Sequence, residues 1–235
     1  EYMKIFALSD LHLGEGLDKA MDKFGDEWKN HAEKIKDNWL NTVSDSDTVL
    51  VPGDISWAIN MKEAETHLEF ISKLPGRKIM LRGNHDYWWS SVSRLNGLYN
   101  KKNIFFIQND CFVMEDKKTA VCGSRLWKSD STEREDIKIY NREIIRSRLS
   151  LDDAMRKQCE NIIFMCHYPP LEYDGKYIKD TKASRLLEEY PVAKVVYGHL
   201  HGRENFKNGF EGIKNNIEYR LVSADYIDFT PIRIV

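Results

Sequence analysis

The sequence predicts an α/β fold, and two observations carry that prediction. Short apolar runs that fit buried strands alternate with amphipathic helical stretches, and polar residues follow directly where the strands end. Open α/β sheets place their sites at such strand ends. With 235 residues, of which 42% are apolar, the chain can bury a sizeable core. We therefore expect one domain over residues 1–235.

The first predicted strand, residues 4–8, is followed by Asp10 and His12. Residues two apart in extended chain point to the same side, so this carboxylate and imidazole could bind one metal ion. A capped turn is the alternative. A helix follows from Trp28, because apolar residues recur from there at helical spacing. His31 is interpreted as an ordinary member of that helix.

The second predicted strand, residues 48–51, ends close to Asp54, which supplies a carboxylate at the same kind of strand end. Asn60 and Glu63 resemble a capping pair and predict the start of the next helix. His67 lies within that helix and is interpreted as a surface or boundary residue.

The third predicted strand, residues 78–81, leads into Asn84, His85 and Asp86. Asn84 can offer a neutral oxygen to a metal, and His85 can carry a proton near neutral pH. Asp86 can hold the His85 imidazole in one tautomer. An ordinary polar turn is the alternative, since a short motif alone is weak evidence.

The middle of the chain is predicted to contain a helix around Leu95, three short antiparallel strands and further helical sequence. The strands are expected at residues 104–107, 111–115 and 119–123. Helical periodicity covers residues 129–159, where dense mixed charges indicate a solvated face. Ser150 and Asp153 resemble a capping pair there and predict that a second helix begins. This part of the chain adds no obvious metal ligand.

Two further strands carry the remaining histidines. Residues 161–166 end at His167, and two prolines then take the chain out of the sheet. Residues 193–197 are followed by His199 and His201, after a short helix. Segments 218–222 and 231–235 are expected to complete a second sheet.

Five of the seven histidines follow short apolar runs, namely His12, His85, His167, His199 and His201. Together with the carboxylates and the Asn84 amide they form a ligand set suited to Mn, Fe, Zn or Ni. No cysteine belongs to this set, which argues against structural zinc. The set exceeds the needs of one ion. Two divalent ions roughly 3.5 to 4 Å apart, sharing a carboxylate and an activated water, would use it.

Five ordered motifs resemble the signature of the calcineurin-like metallophosphoesterases. They are Asp10-x-His12, Gly53-Asp54, Gly83-Asn84-His85-Asp86, His167 and Gly198-His199-x-His201. The resemblance implies a four-layer α/β/β/α sandwich with two mixed β-sheets. The chain differs from many family members at Ser9, where they have glycine, and after Asp54, where a second acidic residue is missing.

The resemblance also implies the roles of the ligands. Asp10, His12, Asp54 and His201 would hold one ion, and Asp54, Asn84, His167 and His199 the other, with Asp54 bridging. His85 would protonate the leaving group, supported by Asp86. The implied enzyme is a metal-dependent phosphohydrolase that cleaves a small phosphomonoester or phosphodiester by attack of a metal-bridging hydroxide.

Arg125 and Arg203 are the cations that we expect near the substrate phosphate, since a guanidinium can bind phosphate through two hydrogen bonds. Surface arginines in ion pairs are the alternative. A nuclease acting on short nucleic acid is a second possible function, with Trp57, Trp88 or Trp89 stacking on bases. Aromatic residues beside a strand end are more often packing, which is the alternative for these three. A third is a catalytically weak metal-binding scaffold for protein partners.

Charge and cysteine content limit the partners and the compartment. Charged residues make up 31% of the chain, but the net charge of −2 gives no field that would attract long polynucleotides or anionic membranes. The sequence leaves open the substrate, the metal pair and the oligomeric state. The four cysteines form no C-x-x-C pair and are expected to be reduced. With no apolar span and no signal-peptide pattern, the cytoplasm is the expected compartment.

Overall fold

A computed structural model describes residues 4–17, 21 and 25–235. Its α-helices in chain order are α1 (His31–Thr42), α2 (Met61–Ser72), α3 (Val92–Tyr99), α4 (Arg134–Arg156), α5 (Lys182–Leu187) and α6 (Arg203–Phe206). Its strands are β1 (Ile5–Ala7), β2 (Thr48–Val51), β3 (Arg77–Met80), β4 (Ile104–Phe106), β5 (Phe112–Val113), β6 (Thr119–Ser124), β7 (Asn161–Cys166), β8 (Glu172–Tyr173), β9 (Ile178–Lys179), β10 (Val192–Tyr197), β11 (Gly212–Lys214), β12 (Ile217–Leu221) and β13 (Ile232–Arg233). Among the described residues, no helix combines the length and apolarity needed to cross a bilayer.

The chain divides into two compact units, each with its own hydrophobic core. The first unit comprises Glu1–Phe106 and Val222–Val235, and the second comprises Ile107–Leu221. That residues 1–235 act as one domain stays a prediction.

The sheet of the first unit has the strand order β13-β1-β2-β3-β4. Strands β1 to β4 pair in parallel, and β13 joins β1 as an antiparallel edge strand. The short strands β1 and β2 are buried on both faces, which explains their continuous apolar sequence. Because β1, β2 and β3 are neighbours, the residues that follow them lie along one edge of the sheet.

The sheet of the second unit has the strand order β11-β12-β10-β7-β6-β5. Its four central strands are parallel, and the two edge strands are antiparallel. The strand ends are in register, because Cys166 of β7 pairs with both Ser124 of β6 and Tyr197 of β10. The residues after β6, β7 and β10 therefore also share one sheet edge.

These sheets confirm the predicted α/β class with two mixed sheets. The predicted capping pair at the start of α2 is also confirmed, because Asn60 accepts a hydrogen bond from the Glu63 amide at 3.1 Å. The predictions for segment 231–235 and for Ser150 are wrong. Segment 231–235 does not complete the second sheet, since β13 pairs with β1. Helix α4 is continuous through Ser150, whose hydroxyl accepts from the Gly123 amide at 3.0 Å and thus joins the helix to β6.

The middle strands also differ from the prediction. Of the three expected there, β5 and β6 form an antiparallel pair. Strand β4 instead extends the parallel sheet of the first unit, with Ile79 opposite Phe105. The loop expected after His167 contains the antiparallel hairpin β8–β9.

Candidate active site

In the first unit, two buried carboxylates lie beside one imidazole. Asp10, His12 and Asp54 are 0%, 2% and 1% exposed. His12 Nε2 lies 3.9 Å from Asp10 Oδ1 and 3.7 Å from Asp54 Oδ2, both too long for a hydrogen bond. Two buried carboxylates of like charge repel each other, and a cation bound by both would relieve that repulsion. This donor set therefore fits a divalent cation of the hard-to-borderline class.

The backbone at these predicted ligands is in the left-handed region. The φ angles of Asp10, His12 and Asp54 are 61°, 44° and 51°, and His199 in the second unit has 72°. Such conformations are uncommon for residues other than glycine and concentrate at functional sites. The loops after β1 and β2 hold them by mutual backbone bonds, from the Asp10 amide to the Gly53 carbonyl and from the His12 amide to the Asp54 carbonyl, each 3.0 Å.

Asp54 packs directly against the glycine of the third motif. A Cβ atom at Gly83 would overlap Asp54 Oδ1 and its backbone nitrogen, with Cγ only 2.8 Å away. The His85 amide donates to Asp54 Oδ1 at 2.9 Å. The loop after β3 is thus shaped around the Asp54 carboxylate, and Asn84 lies within that loop, between Gly83 and His85.

Asp86 is buried and ties the loop after β2 to the loop after β3. Its carboxylate accepts hydrogen bonds from four donors, the amides of Ile55, Ser56 and Gly83 and the indole of Trp88, at 2.8 to 3.1 Å. These contacts give Asp86 a role in fixing the backbone on either side of His85. A direct bond from Asp86 to the His85 imidazole stays a prediction.

Trp57 supports both histidines of the first unit that were assigned to the site. Its ring stacks on His12 at 4.9 Å between centroids and lies 4.4 Å from the tilted ring of His85. From the sequence, Trp57 could either stack on a base or pack beside the strand end. The structure places it as packing that restricts the orientation of two site imidazoles.

Two histidines on helices also contact the loops of the candidate site, although the sequence pattern did not connect them with it. His31 Nε2 lies 3.1 Å from the His12 carbonyl oxygen, and burial lowers the pKa of His31. His67 is 2% exposed, so it is neither a surface nor a boundary residue. Its Nδ1 pairs with the Ser56 hydroxyl at 2.6 Å and its Nε2 with the Glu15 carbonyl at 2.9 Å. Each links a helix to a loop that carries proposed ligands.

In the second unit, His167 and His199 approach each other at the ends of β7 and β10. His199 Nδ1 lies 3.3 Å from His167 Nε2, a separation that suits either a hydrogen bond or two ligands of one ion. The backbone fixes both, since the Gly198 amide donates to the His167 carbonyl at 3.2 Å. His201 follows two residues later, and its carbonyl accepts from the Asn205 side chain at 2.8 Å.

The two predicted phosphate-binding arginines lie in different surroundings. Arg125 follows β6, and its carbonyl accepts from the His167 amide at 3.2 Å. Its guanidinium lies 3.7 Å from the buried Glu143 carboxylate and 4.6 Å from the Trp127 ring centre. Arg203 is exposed at the start of α6. A role in phosphate binding stays a prediction for both.

Comparison with known sequences defines the class of protein. The model of the calcineurin-like phosphoesterase family matches residues 3–203, which contain all five motifs. The chain therefore belongs to the calcineurin-like phosphoesterase family, whose members are metal-dependent phosphoester hydrolases. It is also 35% identical over 78 residues to the gene 66 protein of Mycobacterium phage L5, a match that covers 33% of this chain and 37% of that protein. The chain thus spans little more than a third of that relative.

Solved structures share the fold. The phosphopantetheinyl hydrolase of Mycobacterium tuberculosis aligns over 97% of this chain and 95% of its own, with 15% identity and a TM-score of 0.56. Protein TT1561 of Thermus thermophilus aligns over 86% of this chain and 83% of its own, with 11% identity and a TM-score of 0.59. At these identities the likeness concerns the fold alone.

Proposed function

We propose that this protein hydrolyses a small phosphomonoester or phosphodiester with two divalent metal ions, and that residues 1–235 act as one catalytic domain. The observation that carries the proposal is the buried group of Asp10, His12 and Asp54, held in left-handed backbone conformations at two adjacent strand ends. Family membership across all five motifs supports it. When bound, such ions activate water at neutral pH and neutralise charge on the phosphoryl group.

We assign the ligands of these ions from the motifs. One ion is held by Asp10, His12, Asp54 and His201, and the other by Asp54, Asn84, His167 and His199. Imidazole, carboxylate and amide donors suit Mn, Fe, Zn or Ni. The short distance between His167 and His199 supports a shared ion for that pair.

The remaining site residues act on the substrate and on the loops. His85 gives a proton to the leaving oxygen, and Asp86 keeps the loop around His85 in place through its backbone contacts. Arg125 and Arg203 orient the phosphate. For Arg125, the contacts with Glu143 and Trp127 support a guanidinium of fixed position.

Metal content tests the ligand assignment. Purified, reconstituted protein should contain close to two ions per chain by elemental analysis. Asp54→Ala should weaken both ions because Asp54 bridges them, whereas His12→Ala should mainly weaken one. Asp37→Ala removes an exposed carboxylate of α1 and serves as the matched control. A folded protein that holds less than one ion per chain would refute the dinuclear site.

A substrate panel tests the activity itself. Monoesters, diesters and cyclic nucleotides should be assayed with each candidate metal in turn, and at least one small ester should be hydrolysed in a metal-dependent way. The absence of hydrolysis in protein that holds two ions would favour the scaffold alternative.

The nuclease alternative is less well supported. Trp88 is 2% exposed and belongs to the core of the first unit, and Trp57 and Trp89 pack against that core. Trp88 therefore presents almost no surface to a base, and Trp57 and Trp89 are partly covered. We also assign the protein to the cytoplasm, since its four cysteines are free and buried, as suits a reducing compartment.

A further inference from the structure

The second unit contains a pocket of about 500 Å³ whose wall includes the proposed metal ligand His199. Four aromatic residues, Trp127, Tyr168, Tyr173 and Tyr177, also line it. None of the four belongs to the motifs that carry the family resemblance. The pocket therefore offers a surface rich in aromatic rings next to a residue assigned to the phosphoryl site.

Three neighbouring rings, those of Trp127, Tyr168 and His199, line this pocket, and we call them its inner wall. The Tyr168 ring lies 3.9 Å from the His199 ring at an interplanar angle of 31°, and 4.8 Å from the Trp127 ring. The Arg125 guanidinium packs on Trp127 at 4.6 Å. These rings connect His199, the proposed metal ligand that lines the pocket, with Arg125, which packs on Trp127. A group in the pocket therefore lies beside the proposed metal ligand.

The inner wall is held in place before any ligand binds. The Trp127 indole donates to Asp136 Oδ1 at 2.7 Å. Tyr168 is buried, and its amide donates to the Arg125 carbonyl at 3.0 Å. Rings that are already ordered lose little entropy on binding, which favours recognition by stacking.

The hairpin β8–β9 supplies the other two rings. Tyr177 is 64% exposed, yet the backbone that carries it is fixed, because Asp174 Oδ1 accepts from the Lys176 and Tyr177 amides at 2.9 and 2.7 Å. Glu172 ties the hairpin to Ser129 on the opposite segment of the lining, with a bond of 3.1 Å. An exposed aromatic ring on an ordered turn is well suited to contact a ligand.

The charges of the lining disfavour a second strongly anionic group. Two lysines and three carboxylates line the pocket, namely Lys128, Lys179, Asp130, Glu172 and Asp174. Lys179 is already paired with Glu172 at 2.6 Å, and Lys128 lies 3.5 Å from Asp136. The local charge is therefore slightly negative, which suits an uncharged ring better than another phosphate.

We infer that this pocket binds an uncharged planar ring in the organic part of the substrate, so that the preferred substrates are small phosphoesters with a ring-bearing group such as a nucleoside. This inference rests on the proposed function, since the phosphate would be held at the neighbouring metal ligands. It assigns Trp127, Tyr168, Tyr173 and Tyr177 to specificity rather than to the chemical step.

Kinetics on paired substrates test the inference. Tyr177→Ala should raise KM for a nucleoside 5′-monophosphate roughly tenfold, the loss expected for one stacked ring, with kcat little changed. KM for glycerol 3-phosphate should not change. Tyr177→Phe keeps the ring and should behave as the unaltered protein, and Ile213→Ala, at an exposed site in β11, is the control. Equal effects on both substrates, or no effect on either, would overturn the inference.

Binding without phosphate separates this inference from the proposed function. Metal-free protein should broaden the ring signals of adenosine in ligand-observed NMR, and Tyr177→Ala should reduce that broadening. If the protein hydrolyses no ester with any metal but binds the ring, the proposed function fails and the pocket assignment stands. If it hydrolyses esters but neither binds adenosine nor prefers ring-bearing substrates, the pocket assignment is wrong.

Discussion

Replacing His85 by asparagine separates proton transfer from metal binding. The His85 backbone amide donates to the proposed bridging ligand, Asp54 Oδ1, at 2.9 Å, and this contact survives a side-chain substitution. The side chain itself is half-buried against Trp57. His85→Asn should therefore keep the metal content while removing the acid.

The expected loss depends on the leaving group. A positioned acid typically contributes about 10² to 10⁴-fold when the leaving oxygen departs as an alkoxide. His85→Asn should lower kcat by roughly that factor on an alkyl phosphoester. An activated aryl ester needs no proton on its leaving oxygen, so its kcat should fall by much less.

The assay compares both esters at saturating substrate, with metal content measured on the same samples. Tyr87→Phe changes an exposed residue of the same loop, with its ring 6.4 Å from His85, and controls for disturbance of that loop. Equal losses on the two esters would mean that His85 positions substrate or supports the metals. Unchanged rates on both would remove it from the mechanism.

Two further changes probe the packing around the site and the core. Gly83→Ala should lower metal affinity by about 10 to 100-fold, since its Cβ would displace Asp54; metal titration with unchanged affinity would contradict this. Burial lowers the pKa of Lys78 from 10.5 to about 8, so the unfolded chain binds more protons between those values and stability rises with pH across that window. In the unaltered protein the free energy of unfolding should rise by about 3 kcal/mol between pH 7 and 10.5, and Lys78→Met should abolish this rise. Urea unfolding at several pH values measures it, and parallel pH profiles for the two proteins would refute it.

The sequence located the strand ends because the signal there is local. Apolar runs stop and polar residues follow at once, so Asp10, Asp54 and His167 could be assigned by position alone. Whether their side chains bind metal is a separate question that stays a prediction. The α/β class followed from the same alternation of elements.

The supporting residues were missed because their contacts join distant parts of the chain. His31 lies 19 positions from His12, and His67 lies 52 positions from Glu15. A histidine on a helical stripe gives no local sign of such a partner. The prediction that a second helix begins at Ser150 was wrong for a related reason. Its hydroxyl accepts a hydrogen bond from the Gly123 amide of a neighbouring strand, and α4 continues through it.

The stability of the metal-free protein gives a final test of the site. Asp10 and Asp54 are both buried close to the same imidazole, so their like charges should repel each other in the metal-free protein. Asp54→Asn removes one of the two charges and should therefore raise the Tm of the metal-free protein. Asparagine keeps an oxygen that can accept from the His85 amide, so the loop should remain in place. With metal present, Asp54→Asn should instead lower the Tm. A metal ion at a concentration 100 times its Kd stabilises the folded protein by about 2.7 kcal/mol, and the variant should lose much of that stabilisation. Thermal unfolding with and without EDTA measures both effects. A substitution that lowers Tm equally in both conditions would identify Asp54 as a structural residue and remove the main support for the metal centre.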